Sequence, residues 1–513
     1  MPPPAAPLLA GLILLATLAA ATAAPEPFGI RVVDAASGRG VPLVELETVN
    51  HLLHVTDSAG WVAFNEPGLM DREVFFHVRS HGYEFPKDGF GNAGVRLHTK
   101  PGGRTEIKLK RVNIAERLYR ITGEGIYRDS VLLGQKPPLR APVLNAEVLG
   151  QDSVQAAVYR GKIHWFWGDT QRARYPLGQF QTSGATSELP SRGGLAPAVG
   201  VDLAYFTDPE GFSRRMVPLP EPGMVWIDGL LTVPDETGRE RLVAHFARMK
   251  SLGERLEHGL VIFEDERAAF ARLKALPLSD TWRHPAGQSF RWRDQGRDYI
   301  GFASPFATVR VPATLAAVRN PAAYESFTCL APEGTYWGAE TAIERDAQGR
   351  PVWGWKANTA PVGQAEELAF IGAGKLKPEE ARLQPRDVET RQPVKLHAGS
   401  IRWNAWRKRW VMIAVQSPGS SFLGEVWFSE ADSPAGPWRW ARKIVSHERY
   451  SFYNPAQHAF FDEDGGRVIY FEGTYTRDFS GNPVATPRYD YNQIMYRLDL
   501  ADPRLRLPDP AGK

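Results

Sequence analysis

From Asn145 onward the chain repeats one unit: a short polar phrase, two strands joined by a turn, a third strand, and a Pro- or Gly-rich exit. The opening phrases are Gly150-Gln151-Asp152-Ser153, Trp226-Ile227-Asp228-Gly229, Ala286-Gly287-Gln288-Ser289, Trp337-Gly338-Ala339-Glu340, His397-Ala398-Gly399-Ser400 and Asn454-Pro455-Ala456-Gln457-His458. Third strands are read at, among others, 201–207, 259–264, 425–429 and 493–498. The units recur at intervals of roughly 50 to 75 residues, the range of propeller blades and far from helical-repeat patterns. The spacing therefore predicts an all-β chain with a β-propeller over 145–505. Six openings favour six blades, and five follow if the first and last units share one sheet. A multi-sheet barrel or sandwich is the structural alternative.

Upstream, over 24–112, short alternating runs divided by turn signals predict a small β-sandwich. Ile30 to Asp34 leads into Ser37-Gly38-Arg39-Gly40, Val41 to Leu46 follows, then Thr56-Asp57-Ser58-Ala59-Gly60, Val74 to Val78, and Ser80-His81-Gly82-Tyr83. Residues 113–144 are expected to be a connector, with Pro137-Pro138 and Pro142 and a short helix at Ile114 to Tyr119, and 506–513 a tail. At the N-terminus, Leu8 to Ala20 is an apolar run too short to span a bilayer comfortably, and small residues follow it. A signal peptide over 1–23 is the expectation, with an uncleaved anchor as the alternative. Cleavage would leave about 490 residues, more than one core usually organises. The mature chain is expected to be secreted or periplasmic, without membrane attachment.

The sole cysteine, Cys329, means that an exported fold of this size must stand on its core rather than on disulfides. A formal charge of +3, with Lys and Arg scattered among Asp and Glu, argues against a nucleic-acid partner. No Gly-rich phosphate loop, nucleophile elbow or dinucleotide fingerprint is present, and no cofactor is expected. The 15 Trp and 16 Tyr matter more, because aromatic faces are what sugar rings stack upon.

Chemistry is expected where the openings converge, since the innermost strand of every propeller blade begins at one face of the central channel. The first hairpin is the most informative. It runs from Val154 to Tyr159, turns at Arg160-Gly161 and returns through Lys162 to Trp167 and Gly168-Asp169-Thr170, so Asp152 and Asp169 are equidistant from the turn. Paired to the rim, their Cα atoms would lie about 4.5 to 5.5 Å apart with side chains on one face. Two carboxylates so placed raise one another's proton affinity, and an acid and a base coexist near neutral pH.

The phrase G-x-D…G-K-x-x-x-F-x-G-D-T from Gly150 to Thr170 resembles the opening blade of the propeller endo-D-arabinanases. Residues 430–438, Glu-Ala-Asp-Ser-Pro-Ala-Gly-Pro-Trp, are similar to a blade-edge turn of the wider five-bladed arabinanase, xylosidase and levansucrase group. The N-terminal succession of turns resembles the transthyretin-like, carboxypeptidase-regulatory-like module, which implies an accessory role. The arabinanase resemblance implies a glycoside hydrolase with Asp152 and Asp169 as its catalytic pair; the wider group implies acids on separate blades, at Asp152, Asp228 and Glu340.

Substrate-binding candidates are Gln288, Trp337, His397, Asn454, His458, Glu472 and Asp490, which supply amides, carboxylates, imidazoles and a ring for sugar hydroxyls and faces. His397 and His458 lack metal-ligand spacing, and no metal site is expected. An exported glycoside hydrolase acting on a polysaccharide or oligosaccharide is the leading expectation. A non-catalytic carbohydrate-binding propeller is the alternative, and a polysaccharide lyase using Tyr453 and His458 comes third.

Overall fold

The computed structural model describes residues 26–179 and 181–508. The expected signal peptide and its cleavage site lie outside the described residues, as does the end of the expected tail. The described chain is all-β in character, with only three short α-helices, Arg128–Leu132, Leu315–Val318 and Gln364–Gly372. No helix among the described residues is long and apolar enough to cross a membrane.

Two four-stranded sheets come first. One orders its strands Trp61–Phe64, Phe28–Asp34, Arg104–Arg111, Tyr83–Glu84; the other Leu53–Val55, Glu45–Thr48, Glu73–Arg79, Gly94–His98. Alternation decides which faces meet: in Glu73–Arg79, Val74, Phe76 and Val78 are buried while Glu73 and Arg79 are exposed. Those three side chains share one apolar core with Ile30, Val32 and Phe64 of the other sheet. The Thr-Asp-x-x-Gly motif proves to be turn chemistry. Asp57 Oδ1 accepts from the backbone of Ala59 and Trp61, and Gly60 takes a positive φ of 78°.

Six further sheets follow: a small three-stranded one of Gly150–Gln151, Thr170–Arg172 and Tyr175–Gln179, and five larger ones, numbered here in chain order. The first contains Val154–Tyr159, Lys162–Trp167, Ser183–Glu188 and Ala204–Tyr205; the second Met224–Pro234, Glu240–Ser251, Glu254–Glu264 and Ala269–Leu276. The third contains Gln288–Asp294, Arg297–Ala303, Ala307–Pro312, Glu325–Thr328 and Gly354–Ala357. The fourth runs Leu396–Asn404, Arg409–Gln416, Val426–Ala431, Trp440–Val445, Arg386–Asp387, and the fifth Ser451–Gln457, Val468–Thr476, Asn492–Asp499 and then Glu116–Arg120.

Leading strands of successive sheets lie side by side, and that of the fifth lies against that of the first. The sheets pack face to face around this circuit. Phe166 of the first shares a core with Phe246 and Phe263 of the second, Val411 of the fourth with Phe452 and Ile469 of the fifth, and Trp165 of the first with Tyr470 and Met495 of the fifth. Middle strands are therefore covered on both faces, which is why Val468–Thr476 is buried at every position instead of alternating.

Three expectations are corrected here. No sheet begins at Trp337–Glu340, which lies in a loop-rich excursion between two strands of the third sheet, so only five of the six openings lie at or beside the leading strand of a large sheet. The third strand of the first sheet is Ser183–Glu188, not 201–207. The expected helix at Ile114 to Tyr119 is instead the strand Glu116–Arg120, which completes the fifth sheet from the N-terminal side, antiparallel to Asn492–Asp499. The circuit is closed by the start of the connector rather than by the first unit.

This strand also fastens the N-terminal sheets. The buried Arg117 guanidinium donates to the carbonyls of Pro42 and His81 and to Ser80 Oγ, while Tyr489 donates its hydroxyl hydrogen to the Thr56 carbonyl at 2.6 Å.

Candidate active site

A cavity of about 310 Å³ lies where the leading strands of the five sheets converge. Asp152, Asp169, Asp228, Gln288 and Asn454 line it. In the second, fourth and fifth sheets the leading strand carries one extra residue beside the cavity, at Asp228/Leu231, Leu396/Ala398 and Tyr453/Ala456. Bulges at such places re-aim side chains that a regular strand would direct at the neighbouring sheet.

In the first hairpin one register runs from Tyr159 opposite Lys162 to Val154 opposite Trp167, and resumes with Gln151 opposite Thr170. Asp152 and Asp169 fall in the interruption. Asp152 N donates to the Asp169 carbonyl at 3.0 Å, but the Asp152 carbonyl accepts from Gly168 at 3.1 Å. The two carboxyl groups take different partners. Asp152 Oδ1 accepts from Ser153 Oγ at 2.6 Å and Oδ2 from the Tyr491 hydroxyl at 3.0 Å, on the side of the fifth sheet. Asp169 Oδ1 accepts from Trp226 Nε1 at 2.8 Å, on the side of the second.

Burial, with the Asp152 charge adding to it, raises the Asp169 carboxyl from 3.8 to about 6 against the opposing Trp226 hydrogen bond. Asp228 is likewise raised by burial to about 6, although Oδ1 accepts from Gly287 N at 2.7 Å, Gly229 N at 3.1 Å and Gln155 Nε2 at 3.0 Å. Gly287 can bring its N–H so close because it has no side chain: its φ is +94°, and a Cβ there would stand 2.0 Å from the Ala303 carbonyl oxygen. Gln288 Nε2 donates to the Val154 carbonyl at 2.9 Å, tying the third sheet to the first.

Asn454 and Tyr491 both hold positive φ, +51° and +62°. Asn454 Nδ2 donates to Ser153 Oγ at 2.6 Å and Tyr491 to Asp152 itself, so both strained residues serve the same carboxylate. Burial and the neighbouring Asp152 charge push the phenols of Tyr453 and Tyr491 well above their ordinary range.

The other sequence-derived candidates lie elsewhere. Glu340 is exposed and pairs with Lys375 at 3.0 Å, and Trp337, 73% exposed, belongs to the same excursion. His397 is exposed beside the cavity-lining Ala398 without lining the cavity itself. His458 and Glu472 form a buried pair at 2.7 Å, His458 edge-on to Trp165, in the packing between the fifth and first sheets. Asp490 accepts from Thr476 Oγ1 and Arg477 N, securing the loop that leads to Tyr491.

Ser153, Gln155, Trp226 and Tyr491 were not among the candidates. Trp226 precedes Asp228 by two residues in a strand, a spacing that puts both on one face and could have revealed it. Among the described residues no three His, Cys, Asp or Glu side chains are grouped as a metal site would need. A larger groove of about 1060 Å³ separates the N-terminal sheets from the segments 448–450 and 482–484; of its carboxylates Glu45, Glu84 and Glu448, Glu45 is paired with Arg79 at 3.2 Å and Glu84 with Lys110 at 3.8 Å.

No family model matches the sequence, and no curated protein does. Among solved structures, the chain is similar to an exo-β-1,3-galactanase from Phanerochaete chrysosporium in complex with β-1,3-galactotriose, at 10% identity and a TM-score of 0.34, over 68% of this chain and 60% of that one. A GH43_1 enzyme from Xanthomonas citri complexed with xylotriose gives 11% identity and a TM-score of 0.33, covering 69% and 87% of the two chains. A thermostable family-43 glycoside hydrolase gives 9% and 0.30, over 70% and 96%. Similarity at that level leaves fold and chemistry to rest on this chain's own strand pairing and side chains.

Proposed function

We propose that the chain is an exported glycoside hydrolase whose five larger C-terminal sheets are the blades of a five-bladed β-propeller, with the N-terminal sheet pair as an accessory β-sandwich. The observation that carries this reading is the gathering of Asp152, Asp169 and Asp228 around one cavity, with the latter two carboxyls raised to about 6 and the Trp226 indole bonded to Asp169. Glycoside hydrolysis needs one carboxyl that still holds a proton and another that is ionised.

Asp169 supplies the proton to the leaving oxygen. Its burial and the adjacent Asp152 charge both favour the neutral form. Asp152, oriented by Ser153 and Tyr491, acts on the other side of the bond, either attacking the anomeric carbon or activating water. Asp228 is the anchoring carboxyl: its contacts with Gln155 and Gly287 hold the first, second and third sheets in fixed relation and leave it a hydrogen-bond partner for a sugar hydroxyl. The cavity volume suits one or two sugar rings at the reacting bond. The lyase reading loses support, because His458 is buried against Glu472 and the Tyr453 phenol holds its proton tightly.

The test is the purified protein on a glycan panel, with reducing-end detection and absorbance of unsaturated uronates measured together. New reducing ends that vanish in Asp152→Asn and Asp169→Asn support hydrolysis. Unsaturated product would establish a lyase, and saturable binding without product a carbohydrate-binding propeller. N-terminal sequencing of the mature protein tests export.

A further inference from the structure

Like Asn454 and Tyr491, Phe479 holds left-handed backbone at the cavity end of the fifth sheet, with a φ of +65°. It follows the strand Val468–Thr476, which ends with Thr476 opposite Ser451, the first residue of the leading strand. Phe479 is the third residue of a turn closed by the Ser480 N–H on the Arg477 carbonyl at 3.1 Å. Glycine is the ordinary occupant of such a position when φ is positive, and a bulky side chain there is strained.

The surrounding loop is fixed without help from the Phe479 ring. Ser451 Oγ donates to the Asp478 carbonyl at 2.6 Å, Asp478 N to Thr476 Oγ1 at 3.1 Å and Arg477 N to Asp490 Oδ1 at 2.7 Å. The ring itself meets Tyr453 edge-on at 5.7 Å and remains 65% exposed. The chain therefore places an aromatic residue where the turn would accept glycine, and the fold does not bury it. Asn454 and Tyr491 use their strained backbone to orient groups around Asp152, and the strain at Phe479 calls for a use of the same kind.

The place of the ring relative to the cavity supplies that use. Tyr453 is buried, packs with Ala398 and Leu423, and immediately precedes Asn454; Ala398 and Asn454 both line the cavity. Phe479 thus stands one ring outward from the cavity wall, on the side of Tyr491 and Asp152 and away from the Trp226 that holds Asp169. A cavity of about 310 Å³ takes one or two sugar rings, so a longer glycan must leave it over the rim. An exposed aromatic ring beside a carboxylate acceptor, here that of the exposed Asp478, is what a sugar ring stacks upon.

We propose that Phe479 is the stacking platform for the sugar residue that lies next beyond the cavity on the Asp152 side, so that the protein prefers glycan chains to disaccharides. The proposal rests on the reading of the cavity as a glycan-cleaving site for its rates, but not for its binding.

The experiment compares the full chain with Phe479→Gly, Phe479→Tyr and Trp403→Ala on xylo-, arabino- and β-1,3-galacto-oligosaccharides of two to five residues, by initial rates and calorimetric titration. Trp403, 49% exposed near the far end of the fourth sheet's leading strand, controls for the loss of an exposed ring. For tetramers and pentamers Phe479→Gly should raise KM and Kd about fivefold or more with kcat little changed. Phe479→Tyr and Trp403→Ala should match the wild type, and the disaccharides should show no difference among the four proteins. Because glycine relieves the positive φ, Tm should not fall in Phe479→Gly. The proposal is overturned if no oligosaccharide binds, if Phe479→Gly behaves as the wild type, if it weakens disaccharides as much as tetramers, if Trp403→Ala causes the same loss, or if Tm falls in Phe479→Gly, which would make the ring part of the fold. Binding without cleavage by the wild type refutes the hydrolase reading alone, and the Kd comparison then decides the platform.

Discussion

Asp228→Asn is the substitution whose effect on stability can be worked from the structure. Burial raises the Asp228 carboxyl from 3.8 to about 6 in the folded chain, so between those values the folded state binds a proton that the unfolded chain has released. The sign follows: the group's contribution is fully present below its unfolded value and is lost as pH rises through the folded one. A displacement of that size amounts to roughly 3 kcal/mol, nearly all of it gone by pH 7. Asn keeps an acceptor oxygen for Gly287, Gly229 and Gln155 but carries no charge to desolvate. The variant is therefore expected to gain on the wild type as pH rises from 3.5 to 7.5, by about 3 kcal/mol overall, read as a gap of a few degrees in Tm that widens with pH. Other titrating groups cancel in the comparison unless they touch Asp228. The assay is paired thermal unfolding across that range, followed by tryptophan fluorescence. A gap that stays constant with pH would refute the reasoning, because it would mean that Asp228 ionises in the folded chain as it does unfolded.

On a substrate identified from the glycan panel, Asp152→Asn and Asp169→Asn should each lower kcat about a hundredfold or more with the fold intact, as measured by initial rates and circular dichroism. Because Asp169 must hold its proton to act, kcat should fall as pH rises through about 6, and a rate profile rising across that interval would exclude it as the acid. Arg117→Ala strands the Pro42 and His81 carbonyls and Ser80 at the junction, so a loss of about 3 kcal/mol is expected in denaturant titrations. Amide hydrogen exchange should find Glu116–Arg120 protected like the interior of the fifth sheet, where a flexible connector would exchange freely.

The sequence carried the parts of the fold that follow from local pairing. The Arg160-Gly161 turn and the alternation around it determine which residues of the first hairpin oppose each other, and the register is the one counted from the turn. The convergence of Asp152, Asp228, Gln288 and Asn454 could be read from the recurrence of their phrases. Trp337–Glu340 shows the limit of that method. The phrase looks like the others, but a leading strand is defined by the neighbours it packs between, and those are distant in sequence. The closing strand Glu116–Arg120 was illegible for the same reason, since its partner Asn492–Asp499 lies at the far end of the chain. Nor could counting from a turn foresee the extra residues at Asp228/Leu231 and Tyr453/Ala456, or the left-handed backbone of Tyr491 that carries its hydroxyl to Asp152.

That closing strand changes how the N-terminal sheets bear on the cavity. Tyr489 donates its hydroxyl hydrogen to Thr56 of those sheets and accepts from Leu43 N, and its ring lies 4.7 Å from the buried Arg120 guanidinium. Two residues further on, Tyr491 adopts its positive φ and donates to Asp152. A non-glycine residue keeps such a conformation only where its surroundings overdetermine it, at about 1 to 3 kcal/mol. Here the surroundings are the N-terminal sheets on one side of the loop and the fifth sheet on the other, where Gln493 Nε2 donates to the Gln151 carbonyl. The N-terminal sheets reach no residue of the cavity directly, but they brace the loop that orients Asp152. Loosening Thr56 or Leu43 would free Tyr489 first and Tyr491 with it, and would act on Asp152 through the loss of one hydrogen bond rather than through any change in the cavity wall.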